Sequence, residues 1–182
     1  MTAMTVMPGG GAEWTVDDLD ALPDDGLRYE LLDGILLVSP APTRRHQRAV
    51  VQLGLLLATA CPAQMETLVA PLDWRPDSGT SLQPDVLVLK DRDLAAAAKE
   101  SMILAVEVLS PSTRRKDTIY KRSKYEDAGV PSYWIVDPEG PSILALELID
   151  GRYVTVAEAT GEEPVMLDKP FPVTVVPADL LR

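Results

Sequence analysis

The chain has 182 residues, of which 46% are hydrophobic and 25% charged, with a formal net charge of −11. This fits one globular domain with a sizeable core, and the acidic balance excludes indiscriminate binding to nucleic acid. One Cys and one His exclude both an internal disulfide and a zinc centre of the usual Cys/His kind within one chain.

Residues 1–11 lack the basic and apolar regions of a secretory signal, and no apolar run approaches the 18 or so residues of a membrane helix. We therefore expect a cytoplasmic protein with a disordered tail over 1–12 and one domain over 13–182. Thr15 is positioned to cap a short helix through Leu22. Segments 28–32 and 35–39 read as a hairpin about Asp33-Gly34, a dipeptide suited to a type I′ turn, and Pro40 and Pro42 close it. Thr43 is the expected N-cap of a helix to about Ala60, with Val50, Leu53, Leu56 and Leu57 on one face and Cys61-Pro62 as its stop.

Residues 65–74 read as one strand or a bent pair. Two apolar strands follow at 84–89 and 102–109, with an alanine-rich stretch at 91–100 suited to a short helical excursion. The turn Ser110-Pro111-Ser112-Thr113 leads into a helix ending near Ala128, with Gly129 at C′ and Pro131 beyond. A strand at 132–136 stops at Asp137-Pro138. The tail reads as a β-meander (143–149, 152–158 and 171–176) with a final turn at 177–182. Over 43–137 the order is helix, strand, strand, strand, helix, strand, an α/β arrangement around a mixed sheet. Trp14, Trp74 and Trp134 read as core or interface aromatics.

The two strands at 84–89 and 102–109 each carry a single carboxylate. Pairing them antiparallel with Leu89 opposite Ile103 sets Asp85 opposite Glu107, on one face and roughly 4.5–5.5 Å apart at Cβ. Like charges so placed repel, and neither strand offers a basic neighbour. A divalent cation would convert the repulsion into ligation, and with nitrogen and sulfur ligands scarce it must be held by oxygen: Mg²⁺, Mn²⁺ or Ca²⁺. A one-residue slip would send one acid to the other face.

Positive charge is concentrated in two places. Arg114, Arg115, Lys116, Lys121, Arg122 and Lys124 accompany one acid, Asp117, and Arg44, Arg45 and Arg48 bracket His46. Such clusters mark a phosphate-binding surface or, more simply, solvated helix faces. Asp117, Lys121 and Tyr125 recur every four residues and share a helix face. An inward Lys121 would reach the carboxylates, with Lys124 the next candidate. The plainer alternatives are an Asp117–Lys121 salt bridge and a packed Tyr125 with a tethered hydroxyl.

The blocks Tyr29-Glu30-Leu31-Leu32-Asp33-Gly34, Gln83-Pro84-Asp85-Val86, Glu107-Val108-Leu109-Ser110-Pro111-Ser112-Thr113, Asp117, Lys121, Tyr125 and 129–137 stand in order over about residues 14–140. Together they resemble the Uma-type putative restriction endonuclease family within the PD-(D/E)XK nuclease superfamily. The resemblance implies a restriction-endonuclease-like αβββαβ core over about 43–137, with an N-terminal hairpin and a C-terminal β-meander. It also implies metal-dependent hydrolysis of DNA that leaves a 5′-phosphate. Asp85, Glu107 and the Val108 carbonyl would hold Mg²⁺ or Mn²⁺. The superfamily's lysine normally lies two residues after the glutamate, where this chain has Leu109; Lys121 matches the family's supply of it from the following helix.

Glu30 matches the family's hairpin acid, as a third carboxylate or as a cross-strand partner of Arg28 or Arg44. His46 would contact a phosphate or the attacking water, or serve as a surface or capping histidine. Arg44, Arg45, Arg114, Arg115, Lys116 and Lys124 are candidate DNA contacts, and Gln83, Asp117 and Tyr125 supporting residues. Ser110, Ser112 and Thr113 suit phosphate contact or simple turn duty. The rival reading is an inactive nuclease-fold module that binds nucleic acid or protein. A homodimer through Phe171, Val173, Val175 and Val176 suits either.

Overall fold

The computed structural model describes residues 4–6, 13–92, 101–110, 114 and 116–182. In chain order the elements are β1 (Met4–Val6), α1 (Val16–Asp20), β2 (Arg28–Leu32), β3 (Ile35–Ser39), α2 (Arg44–Ala60), β4 (Glu66–Val69), β5 (Trp74–Asp77), β6 (Thr80–Leu82), β7 (Val86–Leu89) and β8 (Met102–Val108). After these come α3 (Arg122–Asp127), β9 (Ser132–Asp137), β10 (Ser142–Ile149), β11 (Arg152–Thr160), β12 (Val165–Leu167) and β13 (Val173–Val175). The expected αβββαβ core is α2-β4-β7-β8-α3-β9, with the β5–β6 hairpin inserted inside it. Among the described residues no helix is long and apolar enough to cross a membrane.

Six strands form the central mixed sheet in the order β11-β10-β9-β8-β7-β4. Only β8 and β9 run parallel, as the intervening helix requires. Alternation along the strands divides its two faces. Val86, Val88, Leu104, Val106, Val108, Trp134 and Val136 pack with Ala49, Val50, Leu53 and Leu57 of α2. Leu87, Ala105, Tyr133 and Ile135 turn the other way, toward Trp74, Leu82, Tyr125 and Val130. Helices α2 and α3 thus lie on opposite faces, and Glu107, two residues from Ala105, shares the α3 face.

A second sheet, β1-β3-β2-β6-β5, lies on that same side. Its β2–β3 hairpin turns at Asp33 (φ 49°) and Gly34 (φ 74°), both left-handed as a type I′ turn demands. The turn is anchored by the Gly34 N–H to Gly79 O (2.9 Å) and the Trp14 N–H to Gly34 O (2.9 Å). Helix α1 begins with a reciprocal box in which the Thr15 side chain accepts from the Asp18 N–H and the Asp18 carboxylate from the Thr15 N–H. Thr43 caps α2 through the His46 N–H at 3.2 Å.

Several elements differ from their sequence-based expectation. Residues 4–6, assigned to an unstructured tail, pair with 36–38 of β3. The 65–74 segment supplies β4 only, and Trp74 opens a separate strand that returns through Asp77-Ser78-Gly79 as β6. Both strands are only three or four residues long, and neither alternates in burial, so no period marks them in the sequence. The register places Val86 opposite Val106 and Val88 opposite Leu104, the offset that sets Asp85 against Glu107. A bulge after Val88 moves Leu89 opposite Met102 rather than Ile103, so the correction falls at the end remote from the acids.

The helix expected to end near Ala128 passes through a π-helical turn, Lys116–Lys121, before it tightens into α3. Gly129 follows at φ 79°, as its C′ role requires. In the tail, β13 pairs with β12 as a separate ribbon instead of extending the main sheet. Phe171, Val173, Val175 and Leu180 are buried against the α2 side of the core, so their side chains pack within the chain. Most of the alanine-rich 91–100 stretch, with Ser112 and Thr113, lies outside the described residues.

A Cβ at Gly34 would sit 2.6 Å from the Glu13 Cβ and hold an L-residue in the left-handed region. Gly34→Ala is expected to lower stability by about 1 kcal/mol or more, whereas Gly140→Ala, with open space around its Cβ, is expected to change it little. Urea unfolding of both variants checks this.

Candidate active site

Glu30 from β2, Asp85 in the bend before β7 and Glu107 in β8 are all buried where the second sheet meets the end of the central one. Lys121, at the end of the π turn, is buried with them. Its Nζ lies 2.9 Å from Glu30 Oε1 and 3.1 Å from each oxygen of Glu107. Tyr125, one turn farther on, donates its hydroxyl to Glu107 Oε1 at 2.9 Å. The four-residue spacing therefore aims both groups at one carboxylate.

Asp85 is held from three directions. The Val108 N–H donates to its Oδ2 at 2.8 Å, so the side chain continues the strand pairing where the β7 backbone bends away. His46 Nε2 lies 3.2 Å from the same oxygen, and Arg28 reaches Oδ1 at 3.2 Å. The Arg28 guanidinium also lies 3.4 Å from Glu30 Oε1 and donates to the Gln83 carbonyl. The Gln83 N–H returns a bond to Glu30 Oε1 at 2.8 Å, and its side-chain amide holds Asp73 at 2.9 Å. Gln83 thus ties β2 to the start of the β5–β6 hairpin through backbone and side chain together.

Neither β7 nor β8 carries a base; Lys121, which the four-residue spacing aims at the carboxylates, is joined there by Arg28, which the sequence offers only as a partner of Glu30. Arg28 and Lys121 come from other elements and lie between the carboxylates. No pattern within β7 or β8 announces them, although Arg28 stands two residues before Glu30 and so shares its strand face. Alternation in the hairpin was the one signal that could have found it.

Burial alone would push the Glu30 carboxyl up, but the Lys121 ammonium, the Arg28 guanidinium and the Gln83 N–H outweigh it and hold the group below its ordinary value. For Asp85, burial is likewise overcome by His46, then Arg28 and Lys121, and the carboxyl is lowered. Both are therefore anionic near neutrality. Burial and the neighbouring Glu107 push Tyr125 well up, so its hydroxyl stays protonated and can only donate to the glutamate. Arg28 is raised: its burial cost is exceeded by Glu30, Asp85 and Glu107.

Lys121 and Arg28 thus meet the Glu30, Asp85 and Glu107 carboxylates, with His46 beside Asp85. Three polar atoms of the described site are buried without a hydrogen-bond partner, Arg28 Nε, His46 Nδ1 and Gln83 Oε1. Carboxylate oxygens held anionic suit a hard divalent cation, which needs only one or two of them beside water and phosphate oxygens. Asp85 is held anionic, and Asp85 and Glu107, opposite each other in the β7–β8 register, are the two carboxylates that would meet such an ion. No three His, Cys, Asp or Glu side chains converge into a ready-made cage among the described residues. Beside the site opens a cavity of about 310 Å³, with Arg28, His46 and Asp85 at one end and Val50, Val51 and Leu55 along it.

The outer basic residues are arranged differently from expectation. Arg114 is paired with Asp137 at 2.5 Å, and Lys124 with Asp33 and Asp77 at 2.5 and 2.8 Å. Arg122 donates to the Tyr153 carbonyl, and Arg45 to the Pro138 carbonyl at 2.6 Å. Most of the described basic stretch is therefore engaged within the protein and does not present a bare phosphate-binding face. Arg44 and Arg48 are exposed on α2. Arg115, and the side chains of Lys116 and Asp117, lie outside the described residues.

The sequence profile of a family described as a putative restriction endonuclease, Uma2, matches residues 16–179. Among solved structures, the fold is similar to that of a putative nuclease belonging to DUF820 from Anabaena variabilis. The TM-score is 0.70 at 16% sequence identity, over 92% of this chain and 97% of that one. No curated protein matches. With its fold agreeing and its profile match spanning nearly the whole sequence, the chain belongs to the Uma2 family of putative restriction endonucleases.

Proposed function

We propose that the protein is a metal-dependent endonuclease that hydrolyses phosphodiester bonds of DNA. The observation that carries this reading is the convergence of Asp85, Glu107 and Lys121 from two neighbouring strands and a following helix, with the ammonium 3.1 Å from both Glu107 oxygens. Family membership supports it. A lysine whose backbone origin lies in the turn leading into α3 reaches the carboxylate as well as one on the strand would, because its stem is long.

Asp85 and Glu107, with the Val108 carbonyl, would hold Mg²⁺ or Mn²⁺. When bound, such an ion eases ionisation of a coordinated water and neutralises charge on the scissile phosphate. The chain's own residues do the rest. His46 and the Val108 N–H fix the Asp85 carboxylate, and Tyr125 fixes Glu107. Lys121 offers its ammonium to the attacking water or to the charge developing on phosphate. Glu30 holds Lys121 in that position from the opposite side. Water attacks phosphorus as the bond to the 3′ oxygen breaks, which leaves a 5′-phosphate and a 3′-hydroxyl.

One observation favours the rival reading of a nuclease-fold module that binds without cutting: Arg114, Arg122 and Lys124 are engaged by the protein itself, which weakens the case for a catalytic grip on DNA. Incubation of purified protein and Asp85→Asn with plasmid DNA and Mn²⁺ separates the two. Nuclease function predicts cutting by the wild type and a loss of about a hundredfold or more in the variant. The variant's circular dichroism should match the wild type. Equal rates in both proteins would dismiss the assignment, and binding without cutting under any metal would select the rival.

The same charges set an acid limit on stability in the metal-free protein. Glu30 and Asp85 titrate lower in the folded state than their ordinary values of 4.5 and 3.8, so in acid the unfolded chain takes up more protons. Their stabilisation is complete above those ordinary values and disappears as pH falls through the lower folded ones. Thermal unfolding in chelator is expected to show a melting temperature that drops on acidification through that window; a flat profile there would contradict it.

A further inference from the structure

Arg28 and Lys121 both neutralise the buried carboxylates, but they are not equivalent. The Lys121 side chain is 4% exposed and enclosed by Glu30 and Glu107. The Arg28 side chain is 28% exposed and borders the cavity of about 310 Å³ beside Asp85. Its guanidinium faces a carboxylate oxygen of Asp85, another of Glu30 and the Gln83 carbonyl, an all-oxygen set of the kind that hard divalent cations take. Its fit is incomplete, since Arg28 Nε is buried without a hydrogen-bond partner. An imperfectly satisfied cation with open space next to it is the one that can leave.

We propose that Arg28 is a built-in counter-ion that competes with the divalent cation for Asp85: in metal-free protein it stabilises the carboxylates, and metal binding displaces it into the adjoining cavity. This rests on the metal-dependent reading above and adds a residue to it. Arg28 keeps the buried acids from repelling one another before the ion arrives, and its removal should favour the ion. A residue that merely shaped the site would have the opposite effect, because its loss would loosen the ligands.

Calorimetric titration with Mn²⁺ of the wild type, Arg28→Met and Arg28→Lys tests the inference. The Met variant, which keeps the stem and lacks the charge, is expected to bind Mn²⁺ about tenfold or more tightly than the wild type, the scale typical of outer partners of a metal site. Arg28→Lys retains a cation and should lie nearer the wild type, which also covers the case in which Arg28→Met does not fold. Free guanidinium should weaken Mn²⁺ binding to Arg28→Met more than sodium does at equal ionic strength. Unchanged or weaker Mn²⁺ affinity in a folded Arg28→Met, with binding to the wild type intact, would overturn the role of Arg28 and leave the metal site standing. Absence of Mn²⁺ binding in all three proteins would overturn the metal site and this inference with it.

Discussion

The arrangement depends on one electrostatic constraint: three carboxylates are buried together where two sheets meet. Isolated anions in such a place are prohibitively costly, and they persist only with opposite charge and hydrogen bonds supplied at good geometry. Lys121 and Arg28 provide the charge, one from the helix side and one from the hairpin side. The second sheet is therefore more than a cover for the core. It brings both an acid and a base to a site whose other acids stand on the central sheet.

Much of the surrounding packing keeps those groups fixed. Tyr125 lies tilted between Trp74 and Tyr133, at centroid distances of 5.0 and 5.2 Å, and Tyr133 stacks on Tyr153 at 5.8 Å. This aromatic row joins the inserted β5–β6 hairpin to the main sheet and carries the hydroxyl that holds Glu107. Gln83 binds to Glu30, Arg28 and Asp73 and ties the same hairpin to the site. The insertion between β4 and β7 thus has a mechanical consequence: it supplies part of the frame on which the carboxylates are held.

The core was legible in the chain because its signals are local. Asp33-Gly34 dictates a tight turn, Thr43 caps a helix with an unambiguous apolar face, and residues 84–89 and 102–109 are apolar runs carrying one acid each. What escaped reading was marked by weak or short patterns. Trp74–Asp77 and Thr80–Leu82 are too brief for alternation to emerge, and the Phe171–Val175 stretch looked like a third meander strand because it too alternates. Its apolar side chains instead close the α2 side of the core.

By itself the sequence determined the longer elements of the core and that Lys121 and Tyr125 share a helix face, because backbone periodicity decides both. Tertiary structure alone decided which charges meet. Arg28 and Asp85 are 57 residues apart, and Glu30 and Lys121 are 91 apart, so no local period relates them. The same is true of Lys124, turned to Asp33 and Asp77 by the way α3 rests beside the hairpin. Ion pairing depends on distance in space, and the chain specifies that distance only once its sheets have packed.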